Sequence, residues 1–203
     1  MKSFAPFLPI AAAAALLGGL SLSGCAPVAI TAGTAAASAA TEERGLGGVV
    51  SDTAIRAEIN ARWLGHDVDM FVAVQLEVVE GRVLLAGQVE KPEHRVDAVR
   101  LAWKADGVKE VINEIRIAKG RGIGEYSRDG WIAAQLRAKI LFDKDIASIN
   151  YSIDSVGRVI YLMGIARNKA EHERVKAHAR DIPYVKRLIS HVILKDDKRR
   201  KAG

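Results

Sequence analysis

The chain has 203 residues, with 30 lysines and arginines against 24 aspartates and glutamates and a net charge of +6, enough length for one medium domain or two small ones. Its single cysteine excludes an intrachain disulfide and any metal site built on cysteine pairs. Beyond Gly24 no apolar run reaches membrane-spanning length, so the remainder is expected to sit on a membrane at most, not to cross it.

The first segment has three zones. Lys2 supplies positive charge, Leu8 to Leu20 is an apolar stretch interrupted by Pro and Gly, and Leu22-Ser23-Gly24-Cys25 puts small residues before a cut. This is the layout of an export signal over residues 1–24. Leu-Ser-Gly-Cys also resembles the lipobox of bacterial lipoproteins. That resemblance implies a diacylglycerol on the Cys25 sulfur and an acylated, palmitate-type amine. Two or more such chains anchor stably, at roughly 0.8 kcal/mol per buried CH₂. Ala26 resembles the outer-membrane default at the position after the cysteine, which implies attachment facing the periplasm. A plain secretory signal followed by an incidental cysteine is the alternative. Residues 25–49 are poor in large side chains and read as a flexible tether.

An internal repeat with a constant offset of 77 fills the next part of the chain. Asp52 maps to Asp129, Ile55 to Ile132, Ile59 to Leu136, Val83 to Ile160, Gly87 to Gly164, Ala102 to Ala179 and Val111 to Leu188. A register held without a gap for so long requires duplication. Residues 50–118 and 129–194 are the two copies, joined by a linker at 119–128 and followed by a basic tail at 195–203 that is expected to be disordered.

Each copy predicts the same elements. Asp52 and Asp129 are expected as N-caps of helices whose apolar stripes are Ile55, Ile59, Trp63 and Ile132, Leu136, Ile140. Alternating runs then predict hairpins, from Val72 to Leu85 with a turn near Glu80-Gly81, and from Ile149 to Leu162 with a turn at Ser155 to Arg158. The glycine moves one place between the two turns, so different turn types are expected. Second helices span about Pro92 to Lys104 and Lys169 to Arg180, and last strands run from Val108 to Ile117 and from Val185 to Leu194. The fold class is α+β: two tandem αββαβ units, each a three-stranded mixed sheet with two helices on one face.

Gly-Arg-Val-Leu-Leu-Ala-Gly (Gly81 to Gly87) and Gly-Val-Lys-Glu-Val-Ile-Asn (Gly107 to Asn113), each following a helix, make this unit resemble the BON domain. Val111 to Ile115, Trp131-Ile132 and Leu162 to Gly164 are the most specific strings. Arg158, where the hairpin usually carries glycine, and the basic tail depart from the pattern. Two such copies behind a lipobox resemble the dual-BON envelope lipoproteins. The resemblance implies a non-enzymatic protein on the outer membrane that supports envelope integrity and binds anionic phospholipid. It places binding on the first helix of the second copy, at Trp131, Gln135, Ala138, Lys139 and Phe142. BON domains also resemble ring-forming secretin domains, so a protein-interaction or oligomerisation scaffold with envelope protein partners is the alternative.

The residues themselves point the same way. Trp131 replaces Ala54 and Phe142 replaces Gly65, and 131, 135, 138 and 142 share one helical face away from the core stripe. Arg137, Lys139 and Lys144 flank that face. Trp with nearby cations suits an interfacial membrane contact, and packing of Trp131 against the other copy is the competing reading. Residues 50–118 carry nine basic against twelve acidic side chains, whereas 119–194 carry fourteen against eight. The positive charge therefore sits in the second copy and the tail, as attraction to an anionic leaflet requires.

Other chemistries find no support. His66, His94, His172, His178 and His191 lack the i, i+3 or i, i+4 pairing of a zinc site. Gly120 to Gly124 lacks both the dinucleotide spacing and a Walker lysine, and reads as linker. Asp143 and Asp145 sit at a helix end with no nucleophile beside them. Behind a lipobox, the tail cluster Lys198 to Lys201 points to lipopolysaccharide, phospholipid or solvent, not nucleic acid. Trp63 and Trp103 fall on apolar faces and are expected in the core. No enzyme activity, cofactor or metal is expected.

Overall fold

Ile55, Ile59 and Trp63 recur every fourth residue, so a single helical stripe carries all three. They are buried on α1 (Gly45–His66) in the computed structural model, which describes residues 42–120 and 122–201. The signal, Cys25 and the tether up to residue 41 lie outside the described residues. α2 (Val68–Ala73) follows, then β1 (Val74–Val79), β2 (Arg82–Val89), α3 (Pro92–Ala102) and β3 (Glu110–Ile117). The second copy runs α4 (Ile123–Leu141), a 3₁₀ turn (Ser148–Asn150), β4 (Tyr151–Val156), β5 (Val159–Ala166), α5 (Lys169–Arg180), β6 (Arg187–Ser190) and β7 (Ile193–Leu194). In each copy the hairpin is antiparallel and the last strand joins its second strand in parallel, giving a mixed sheet.

Several expectations are corrected. α1 begins at Gly45 and α4 at Ile123, so Asp52 and Asp129 lie inside helices and cap nothing. Both are buried. The Asp52 carboxylate accepts the N–H groups of Glu80 (2.8 Å) and Gly81 (2.9 Å) and pairs with Arg44 (2.9 Å). Asp129 accepts those of Gly157 and Arg158 (both 2.7 Å) and the Ser155 hydroxyl (3.1 Å). Each carboxylate thus satisfies the two turn amides that the strand ladder leaves unpaired, and ties the hairpin to the helix.

The two turns are of one kind. Glu80 (φ 55°) and Gly81 (φ 77°), like Gly157 (φ 59°) and Arg158 (φ 66°), are consecutive left-handed residues in a two-residue loop, as in a type I′ turn. Both central positions need that conformation, so glycine can occupy either one. The first strand starts at Val74 and not Val72, because Asp67 caps α2 by accepting the Met70 N–H (2.7 Å) and Met70 then fills the core. Gly87 and Gly164 mark where the second strand of each hairpin passes the preceding segment. A Cβ there would lie 2.5 Å from the Ala73 carbonyl oxygen or 2.0 Å from that of Asn150.

Trp63 is core, with its indole N–H donating to the Ala98 carbonyl (3.1 Å). Trp103 is not: it follows Leu101 and Ala102, whose buried faces leave the next residue outside, and it is 50% exposed.

The helices cover one face of each sheet, and the two opposite faces pack on each other. Val79, Leu84, Ala86, Val156, Val159, Tyr161, Met163 and Ile165 form a third apolar core between the copies. The result is helices, sheet, sheet, helices. Arg116 bonds the Val156 carbonyl (2.8 Å) and Arg82 the His191 carbonyl (3.1 Å) across this seam. The expected last strand of the second copy breaks at His191-Val192, where His191 turns to Glu114 of the first copy (3.0 Å).

The tail also has a defined course instead of the expected disorder. Lys198–Lys201 form a 3₁₀ turn, and Arg200 bonds the Glu80 carboxylate (2.8 and 2.9 Å) and the carbonyls of Lys195 (2.7 Å) and Glu43 (2.9 Å). Glu43 itself donates its N–H to the Asn150 side chain (3.0 Å) and pairs with Lys195 (2.8 Å), so the end of the tether and the tail meet on the seam.

Candidate functional site

Ile132, Leu136 and Ile140 bury one stripe of α4, which obliges the opposite stripe to face outward. Trp131 (41% exposed), Ala138 and Phe142 (83% exposed) lie along it, with Gln135 half-buried between them and Leu141 beside Phe142. Phe142 is the residue that caps the C-terminal end of the helix, and its ring is left in solvent.

The structure brings Trp131, Gln135, Ala138, Lys139 and Phe142 onto this side of the domain and separates Arg137 from them. Arg137 points round the helix and donates to the Ile153 carbonyl on β4. Lys139 reaches α5's end and pairs with Asp181 (2.6 Å), whose pKa that ammonium lowers. Asp181 is largely exposed, and solvent screens such a pair, so the ammonium is free to exchange partners.

Two residues on this face escaped the reading of the sequence. Tyr184, after the α5 turn, sets its ring edge-to-face against Trp131, with centroids 6.1 Å apart at 64°. The Arg128 guanidinium carbon lies 5.8 Å from the centroid of the Tyr184 ring. The offset of 77 holds the signal: Gly107 and Ser51 occupy these two positions in the first copy. Lys144 lies beside Phe142, and Arg180 and Lys186 are further exposed cations of the same copy.

Beneath Phe142 an open depression of about 540 Å³ is lined by Lys139, Lys144, Arg174 and His178 together with Asp143 and Asp145. Asp143 accepts from Arg174 and His178 (both 2.7 Å), and these partners hold its carboxyl well below the usual range. These acids are structural, closing the loop after α4 onto α5. The histidines are likewise engaged: His66 with Asp97, His94 with Asp67, His172 with the Ser190 hydroxyl and His191 with Glu114. Among the described residues, no group of three or more His, Cys, Asp or Glu side chains could hold a metal ion. No described helix is long and apolar enough to cross a membrane.

Two αββαβ units, each closed by a buried aspartate on its hairpin and sharing one sheet-to-sheet core, define a tandem-domain protein in which Trp131, Phe142 and Tyr184 are exposed on the second copy. Residues 51–119 and 128–196 both match the model of the BON domain, and the chain belongs to the BON-domain family. It is 40% identical over 153 residues to an uncharacterized protein of the gshII 5′ region of Anaplasma centrale, covering 75% of this chain and 100% of that one. It is 29% identical to the outer membrane lipoprotein DolP of Haemophilus influenzae, over 77% of this chain and 82% of the relative. Similarity to the osmotically-inducible protein Y of Escherichia coli is 25% over 70% and 71% of the two chains.

Proposed function

We propose that this is a lipoprotein held on the outer membrane by acyl chains on Cys25, facing the periplasm, that docks anionic phospholipid through the outer face of α4 and so supports envelope integrity. The observation that carries this reading is the asymmetry between the copies. Trp131 and Phe142 stand exposed on α4 where the first copy has Ala54 and Gly65, and the excess positive charge lies on the same copy. The identified family and the relative named as an outer membrane lipoprotein support the anchoring.

Moving an exposed Phe or Trp out of water is worth roughly 1.5–3 kcal/mol, and each cation near an anionic leaflet adds about 1 kcal/mol. Such contacts are weak alone. An anchored protein meets headgroups at a high effective concentration, which makes weak contacts sufficient. Binding without chemistry is the role we assign, in keeping with the family that the chain belongs to.

The test uses the chain from position 25 onward with Cys25→Ser, so that binding does not come from acyl chains. It is expected to co-sediment with phosphatidylglycerol vesicles, weakly with phosphatidylcholine, and to release at high salt. Trp131→Glu abolishes the binding while the circular dichroism spectrum is kept. Unchanged co-sedimentation of that variant overturns the reading.

A further inference from the structure

Tyr184 carries a conformation it should avoid. Its φ of +70° is left-handed, a region that bulky side chains rarely enter, and the first copy fills the same position with Gly107 at φ +87°. Strain of this kind persists where something offsets it, and it gathers at functional positions. Burial does not offset it here, because Tyr184 remains 64% exposed. Its neighbours are instead Trp131 and Arg128, both of them also specific to the second copy.

We infer that Tyr184 is a lipid-contacting residue, which the strained turn holds against Trp131 so that the two rings and the Arg128 guanidinium make one binding element for a phospholipid headgroup at the membrane surface. This rests on the docking reading above and adds to it the part of the lipid that is recognised, the headgroup, and a contact residue outside α4. Tyrosine and tryptophan favour the headgroup level, each with an apolar body and a polar tip. The Arg128 guanidinium, 5.8 Å from the Tyr184 ring centroid, carries the planar set of N–H donors that suits a phosphodiester. Phe142, about three turns along the helix, has no polar atom and takes the deeper, acyl side.

Vesicles of phosphatidylglycerol and phosphatidylcholine test this on the chain from position 25 with Cys25→Ser. Tyr184→Gly installs the residue that the first copy uses, so the midpoint of thermal unfolding is expected to stay level or rise while affinity for phosphatidylglycerol vesicles falls about tenfold. Tyr184→Asn, which also tolerates the left-handed region, gives the same loss. Arg128→Gln keeps the residual binding and reduces its salt dependence. Tyr184→Gly binding like the unsubstituted chain, while Trp131→Ala does not, overturns the inference and leaves the α4 reading standing. A fall of several degrees in the unfolding midpoint of both Tyr184 variants assigns the ring a structural role and also overturns it. No binding by the unsubstituted chain removes the reading beneath it.

Discussion

Glu114 and His191 are the same position in the two copies, and they are bonded to each other across the seam at 3.0 Å. In a two-fold interface residue i meets j and j meets i, and equivalent positions meet each other only beside the axis, which places this pair at the centre of the approximate two-fold relation between the copies. Two identical acids would repel there, and divergence into acid and imidazole removes the conflict. A second equivalent pair keeps it. Glu77 and Asp154 are also related by the offset of 77, and Glu77 adds to burial in pushing the Asp154 carboxyl up to about 6, against Arg137 and Arg56.

Asp154 therefore makes stability fall as pH rises. Its pKa is higher folded than unfolded, so the favourable contribution is full below about 4 and is lost as pH climbs through about 6, a swing on the order of 3 kcal/mol. Urea denaturation at pH 5 and pH 7.5 should show the chain more stable at pH 5. Asp154→Asn should flatten that difference and stabilise the protein at pH 7.5. Asp143 has the opposite sign: Arg174 and His178 depress its pKa, so its contribution is lost as pH falls below the ordinary carboxylate range.

Asp129→Ala leaves the Gly157 and Arg158 amides and the Ser155 hydroxyl without their acceptor. Loss of charge-assisted bonds at a buried site is expected to cost about 3 kcal/mol. Asp145→Ala, on an exposed pair with Arg174, should change stability by under about 0.5 kcal/mol. Chemical denaturation of the two variants side by side checks the contrast.

Glycine positions separate in the same way. Gly164→Ala drives a Cβ to 2.0 Å from the Asn150 carbonyl oxygen at φ +144°, and is expected to destabilise by on the order of 3 kcal/mol or to prevent folding. Gly130→Ala meets nothing within 4 Å in the interior of α4 and should stabilise by about 0.5–1 kcal/mol. Thermal unfolding midpoints that move in the same direction would contradict this account.

Arg200 clamps the tail to the first copy. Arg200→Ala is expected to cost about 1–2 kcal/mol and, more specifically, to release residues 195–201. Hydrogen exchange at the tail amides should rise several-fold while that of β2 and β5 is unchanged.

Much of this architecture is legible in the sequence. The stripe Ile132, Leu136, Ile140 and its counterpart fall in helices, the hairpins lie where alternation puts them except that each first strand begins two residues later, at Val74 and Tyr151, and the exposed face of α4 follows once the core stripe is taken. Asp52 and Asp129 are visible as a repeated pair, yet their role is not. An aspartate ahead of an apolar stripe looks like a cap until the helix is seen to start a full turn or more earlier. Tyr184 escaped because its importance lies in a dihedral angle and in two neighbours more than fifty residues away.

Periodicity and duplication thus determine the order of elements, the two cores beneath the helices and the divergence of one face, because each depends on the spacing of residues within a single element. The eight residues of β5, Val159–Ala166, are apolar on both faces, which announces a second covering layer without saying what it is. Only the tertiary structure decides that the layer is the other sheet, that His191 leaves its strand to meet Glu114, and that Arg200 folds the tail onto Glu80. Those contacts join residues from 77 to 120 positions apart, and local propensity carries no term for them.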